Sequence, residues 1–364
     1  MEDARYRICR KLKVIDASCC KNVCVLFEES EVWRTSPTLH IGGDEPRMMK
    51  VLVIGTGAVG CAVAIAAANA GMETALLARG STAKYIHEHN LKRIGIFGEI
   101  SIQPEHLTIY ENYEQIVSAY DFIIIAVKTT ANGAVAGELA AHRSILGQSG
   151  RIVIFQNGWG NDEPYLARFT TSQVYNARVI TGFERIAPGV TRVTVHTAPI
   201  LLGSLHGEPV KGLEPLARAI RDSGIPSETS EELEQALWAK VLYNTTLTPL
   251  GAILNMSYGQ LTGSEHLIGI MNRLIEETFA VMDAAGYKTF WKSAAEYEEL
   301  LYKKLIPDTF AHRSSTLQDI EKHQKTEIDT LNGCILRLGR EHNVQTPTHA
   351  MIVELIKGIE DIRC

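Results

Sequence analysis

No apolar run in the 364 residues reaches the roughly 18 that a membrane-spanning helix needs, so no membrane partner is expected. A basic stripe interleaved with aromatics is missing as well. Against 36 Lys and Arg stand 42 Asp and Glu, a formal charge of -6, which argues against nucleic acid as a partner. Internal repeats and low-complexity tracts are also lacking. Four of the seven cysteines, Cys9, Cys19, Cys20 and Cys24, crowd the first 48 residues. Adjacent Cys19 and Cys20 match none of the usual paired zinc spacings, and no metal site is expected. Charges interrupt every apolar stretch there, which speaks against a secretory signal. Residues 1–48 therefore read as an upstream extension, or as a start assigned too early, with Met48 and Met49 just ahead of the first strand. With 45% hydrophobic and 21% charged residues, the chain has the make-up of a cytoplasmic globular protein large enough for two cored domains.

What is present begins with Lys50-Val-Leu-Val-Ile-Gly55-Thr56-Gly57-Ala58-Val59-Gly60, an apolar strand running into a glycine-patterned turn. The small residues Cys61 to Ala70 follow, suited to a helix lying close on a sheet. A dinucleotide site needs this order. One glycine makes the turn, the next lets backbone approach the pyrophosphate, and the third allows close helix–strand packing. The helix start then offers free N–H groups to phosphate. A plain βαβ unit with a glycine turn is the alternative. About 20 residues on, the second strand, Thr74 to Ala78, lacks the Asp or Glu that would accept from a ribose 2′-OH. Arg79 stands there instead. A guanidinium suits a 2′-phosphate, so NADPH/NADP+ is favoured over NAD, unless Arg79 is an ordinary solvated arginine.

From Met49 to about Ser204, strands alternate with helical stretches, as a parallel α/β sheet demands. Asp121–Lys128 and Arg151–Gln156 read as buried strands, and Tyr175–Thr181, Val190–His196 and Ile200–Ser204 as added strands of a mixed sheet. From Ser230 helical periodicity takes over, with helices expected near 264–285, 291–304, 315–341 and 346–360. The division is a Rossmann-type α/β domain over 49–228 followed by an all-α domain over 229–364. A substrate pocket is expected between them, above the carboxyl ends of the strands.

Leu233, Leu237, Lys240 and Asn244 share one helical stripe, so Lys240 and Asn244 extend a buried face. No carboxylate lies four residues from Lys240 on either side. A buried ammonium has a lowered pKa and can donate a proton near neutral pH; a stem that snorkels to solvent is the competing reading. Glu327, taken on a helix, has His323 and Leu331 at its i±4 places and no basic partner, whereas Glu321 and Lys325 are spaced as a surface pair. Ser315-x-x-Gln318 is also a capping-box pattern. Lys128 and Asn157 fall at successive strand ends, where ligands bind.

These motifs together resemble the ketopantoate reductases (2-dehydropantoate 2-reductases) over about residues 49–360: Gly55-x-Gly57-Ala-x-Gly60, Val127-Lys128, Gln156-Asn157-Gly158, Trp238-x-Lys240-x-x-x-Asn244 with Pro249-Leu250, and Ser314-Ser315-x-x-Gln318-Asp319 leading to Thr326-Glu327-Ile328-Asp329 and Asn332-Gly333. The resemblance implies a Rossmann-type domain joined to a helical domain like the C-terminal domain of 6-phosphogluconate dehydrogenase. It implies Lys240 as general acid and Glu327 as the group that helps hold it. By the same resemblance Asn244 and Ser315 bind substrate, and Lys128 and Asn157 line the cofactor cleft. Two positions depart. Thr248 stands where the family often has a second substrate-binding asparagine, and His312 where an asparagine sometimes precedes the double serine; threonine lacks an amide's paired donor and acceptor. The expected activity is NADPH-dependent reduction of ketopantoate to (R)-pantoate for pantothenate and coenzyme A synthesis. The alternatives are a paralogue acting on another branched 2-keto acid and a non-catalytic NADP-binding regulator. A homodimer is left open.

Overall fold

The computed structural model describes residues 47–364; the cysteine-bearing extension lies outside the described residues. Numbering only the strands of the main sheet, β1 (Lys50–Ile54), β2 (Glu73–Leu77), β3 (Leu107–Tyr110), β4 (Tyr120–Ile125), β5 (Leu146–Ile154), β6 (Val174–Arg178), β7 (Ile200–Gly203) and β8 (Ser227–Thr229) lie side by side in the order β8-β7-β6-β5-β4-β1-β2-β3. The six strands from β6 to β3 are parallel. Strand β7 runs antiparallel to β6 and parallel to β8. Period-two alternation sorts the apolar strands into two cores. Val51, Val53, Phe122 and Ile124 pack on one face, and Leu52, Ile54, Ile123 and Ile125 on the other. Both faces are covered, which is why these strands read as continuous apolar runs.

The glycine turn leads into α1 (Ala58–Asn69), whose residues Gly60 to Ala67 are all buried. A second sheet explains why. Four strands, in the order Ile100–Ile102, Leu91–Gly95, Val190–His196 and Thr181–Ala187, contact α1 from the side away from β1 and β2. A helix held between two sheets has room only for small side chains, and Ala62, Ala64, Ala66 and Ala67 supply them. The short strands at residues 91–95 and 100–102 carry no strong alternation and are absent from the sequence reading. Helices α2 (Gly80–Glu88), α3 (Asn132–Ala141) and α4 (Glu214–Asp222) complete this half.

The second half consists of helices: α5 (Leu233–Leu254), α6 (Glu265–Ala285), α7 (Ala294–Leu300), α8 (Ser315–Glu321), α9 (Asn332–Glu341) and α10 (Pro347–Arg363), with shorter turns between them. None is long and apolar enough to cross a membrane. The single helix expected over 315–341 is two. Helix α8 stops at Glu321, His323 adopts a left-handed φ of 55°, and α9 resumes at Asn332. Lys325 consequently has no helical partner, and Glu321 pairs instead with Arg313 at 2.7 Å.

Within α5, Pro249 has no N–H to give to the carbonyl of Thr245, four residues earlier. Asn332 Nδ2 donates to that oxygen at 2.9 Å and lies 3.1 Å from His349 Nδ1. The opposite ring nitrogen, Nε2, reaches the carbonyl of Leu274 at 3.0 Å. Burial pushes the His349 pKa down to about 4 from an ordinary 6.5. Below pH 6.5 the unfolded chain therefore takes up a proton that the native state refuses down to about pH 4. The stability contribution is complete above 6.5 and declines through that window, by about 3 kcal/mol in full. Urea titrations at pH 7 and 4.5 should show a steeper acid loss for the natural chain than for His349→Gln; equal slopes would remove His349 as the cause.

Candidate active site

The glycine turn is dictated by close backbone approach. At Gly55, with φ of 106°, a Cβ would lie 2.5 Å from the carbonyl carbon of Ala126 and the nitrogen of Val127. One at Gly60 would lie 1.9 Å from the carbonyl oxygen of Gly55. Gly57 has no neighbour nearer than 4.0 Å, so the space over the turn stays open. No side chain caps α1, and its first turn holds no acidic residue. Thr56, Gly57, Ala58 and Val59 are half-buried around free N–H groups, an arrangement that fits a pyrophosphate. Arg79 is exposed at the start of α2, two residues beyond β2, and makes no side-chain capping bond.

From this turn, contacts run across the carboxyl edge of the sheet. Gly55 abuts Ala126–Val127 after β4, and Gln156 after β5 donates its amide to Val127 O and to Asn132 Oδ1, both at 2.7 Å. Asn157 then bridges to the helical half. Its Oδ1 accepts from Lys240 Nζ at 2.5 Å, and its Nδ2 donates to Glu327 Oε2 at 3.4 Å. The amide thus presents oxygen to the ammonium and N–H to the carboxylate. Lys240 is half-buried on α5, and burial, helped by the charge of Arg178 and opposed by Glu327, pushes its pKa down to about 8. Burial raises the Glu327 carboxyl, with Lys128 the largest opposing influence.

Glu327 lies in the break between α8 and α9, not on a helix. Thr326 anchors it, donating from N and Oγ1 to the buried Glu360 at 2.7 and 2.5 Å. Gly158 sits with φ of 94° against Thr330, and Trp159 N donates to Thr330 O at 2.9 Å. The loop after β5 is thereby docked on the turn that follows Glu327.

The remaining sequence candidates divide. Asn244 is half-buried one turn beyond Lys240. Ser315 is exposed at the first position of α8, and Ser314, not Ser315, is the cap, accepting from Leu317 N at 3.1 Å. Lys128 pairs with Asp319 at 2.6 Å across the two halves, which holds its ammonium at the seam. Thr248 is buried, its hydroxyl 3.1 Å from that of Tyr258. The ring of His312 stands 5.0 Å from the Tyr258 ring, so both departures from the family pattern meet the same tyrosine. Sequence reasoning did not single out Tyr258, nor the roles of Asp319 and Arg178. Arg178 ends a fully buried strand, but the strand expected from sequence runs on to Thr181 and hides that end.

Residues 51–207 match the family described as "Ketopantoate reductase PanE/ApbA", and residues 232–360 match "Ketopantoate reductase PanE/ApbA C terminal". A 2-dehydropantoate 2-reductase of Aquifex aeolicus is 36% identical over 314 residues, covering 86% of this chain and 97% of that protein. One from Archaeoglobus fulgidus is 26% identical and covers 86% and 99%. Among solved structures, a ketopantoate reductase from Ralstonia eutropha JMP134 aligns with a TM-score of 0.75 at 27% identity, covering 86% of this chain and 99% of that one. D-mandelate dehydrogenase with NADH and anilino(oxo)acetate shares the fold, with a TM-score of 0.74 at 21% identity and coverage of 86% and 99%. A Rossmann-type domain, an all-α domain and matches spanning both place this chain in the ketopantoate reductase family.

Proposed function

We propose that this protein reduces 2-dehydropantoate (ketopantoate) to (R)-pantoate with NADPH, for pantothenate and coenzyme A synthesis. The observation that carries the reading is the Lys240–Asn157–Glu327 bridge at the carboxyl edge of a sheet whose first turn fits a dinucleotide. When bound, the nicotinamide supplies the hydride. Lys240 gives its Nζ proton to the carbonyl oxygen as that oxygen gains charge. Asn157 fixes the amine, Glu327 steadies the site from the helical side, and Asn244 and Ser315 border the substrate. The direct test follows NADPH absorbance on addition of ketopantoate, with NADH in parallel. NADPH binding without oxidation by any carbonyl compound would favour a regulator instead.

Arg79 supports the phosphorylated coenzyme because it stands at the end of β2 where NAD sites carry a carboxylate. Arg79→Glu is expected to raise the Kd for NADPH about 100-fold, the scale of a lost charge-assisted pair, while NADH binding changes little. Fluorescence titration of both coenzymes checks this, and equal losses for the two would refute it. A second reading, reduction of another branched 2-keto acid, is favoured by Thr248, whose hydroxyl is already engaged by Tyr258. A panel of keto acids ranks the two readings.

A further inference from the structure

Arg178 is the last residue of β6, the parallel strand beside β5, whose following loop carries Asn157. Its edge of the sheet is therefore the one that holds the glycine turn, Lys128 and Asn157. The strand packs against α5, the helix of Lys240. The side chain is 8% exposed, yet its partners are few for a buried cation. Nη2 donates to Pro199 O at 2.9 Å, and Nε is sealed without a partner. No carboxylate among the described residues forms an ion pair with it; Glu228 acts on it only through longer-range attraction. Guanidinium groups taken out of water normally sit against carboxylates, because an uncompensated buried charge costs several kcal/mol. This one ends a strand that packs on the helix of Lys240.

We propose that Arg178 is the carboxylate-recognition residue of this site, its guanidinium receiving the anionic end of a 2-keto acid while Lys240 faces the adjacent carbonyl oxygen. The inference rests on the reductase reading above and adds what that reading lacks, a counter-charge for the substrate. In a 2-keto acid the carboxylate is bonded directly to the carbonyl carbon. A cation that binds it has to stand near the proton donor, and Arg178 ends a strand packed on that donor's helix. The charge of Arg178 adds to the burial that lowers the pKa of the Lys240 amine. A bound carboxylate would compensate both. Planar fork geometry makes arginine better suited to this than lysine.

Arg178→Gln is expected to raise KM for ketopantoate and for 2-ketoisovalerate about 100-fold, the scale of a desolvated charge pair losing one member. KM for the methyl ester of 2-ketoisovalerate, which has no anionic end, should stay within about threefold, and the Kd for NADPH should be unchanged. Equal rises for acid and ester, or no rise for the acid, would overturn the assignment. Should Arg178→Gln fail to bind NADPH, and so prove misfolded, Arg178→Lys replaces it, with an expected rise of about 10-fold on acids alone; wild-type KM in that variant would overturn the assignment. Calorimetric titration with oxamate, a 2-keto acid mimic that is not reduced, separates this claim from the one beneath it. Oxamate binding that disappears in the variant upholds the subsite even if the natural chain reduces no keto acid. Identical oxamate binding in both proteins rejects it whatever the turnover.

Discussion

Lys240→Ala should lower kcat by about two to four orders of magnitude, the usual scale for a general acid, while leaving the Kd for NADPH near that of the natural chain. The amine is held at 2.5 Å by Asn157 Oδ1, and burial brings its pKa to about 8. Alanine removes the donor without touching the glycine turn. The pH profile supplies the sign. Reduction requires the ammonium form, so kcat should be level below pH 8 and fall tenfold per pH unit above it. Near-normal turnover in the variant, or a rate flat to pH 10, would remove Lys240 from the chemistry. Stopped-flow measurement of NADPH oxidation keeps product release from masking the step.

Gly158→Ala should be the most damaging single methyl group at the seam. A Cβ there would lie 2.2 Å from the carbonyl oxygen of Thr330, and the φ of 94° disfavours any L side chain. Left-handed strain and overpacking against backbone together amount to about 2–4 kcal/mol. Relief of that clash is expected to strain the bond between Trp159 N and Thr330 O and to draw Asn157 away from Lys240 and Glu327. We expect a lower urea midpoint together with a kcat reduced at least about 10-fold. A variant with an unchanged kcat would show that Asn157 does not depend on this docking.

The glycine turn and the strands behind it were legible because their causes are local. Gly60 is required by the carbonyl of Gly55 in the same turn, and β1 and β4 are apolar on both faces, although the Ala126–Val127 backbone that confines Gly55 follows β4. Lys240 and Asn244 were legible from the 3.6-residue period. Glu327, expected on a helix, lies in the break between α8 and α9. Its segment looks helical in sequence, but Glu360, 34 residues from Thr326, holds it in a turn. Lys128 and Asp319 lie 191 residues apart, and Asn157 and Lys240 83. No spacing rule reaches that far. The Asn332 bond to Thr245 O was hidden for the same reason, although Pro249 announces a carbonyl without its usual partner.

That repaired gap in α5 ties Lys240 and Glu327 into one unit, since Asn332 begins the helix following Glu327 and grips the helix of Lys240. Asn157 and Lys128 belong to the opposite unit, joined to the first by the Lys240–Asn157 and Lys128–Asp319 contacts. Separating the halves would sever both links at once and return the amine to bulk water. Its affinity for protons would then climb back to that of any surface lysine. On the proposed reading, the lowered proton affinity of Lys240 belongs to the arrangement in which its amine meets Asn157.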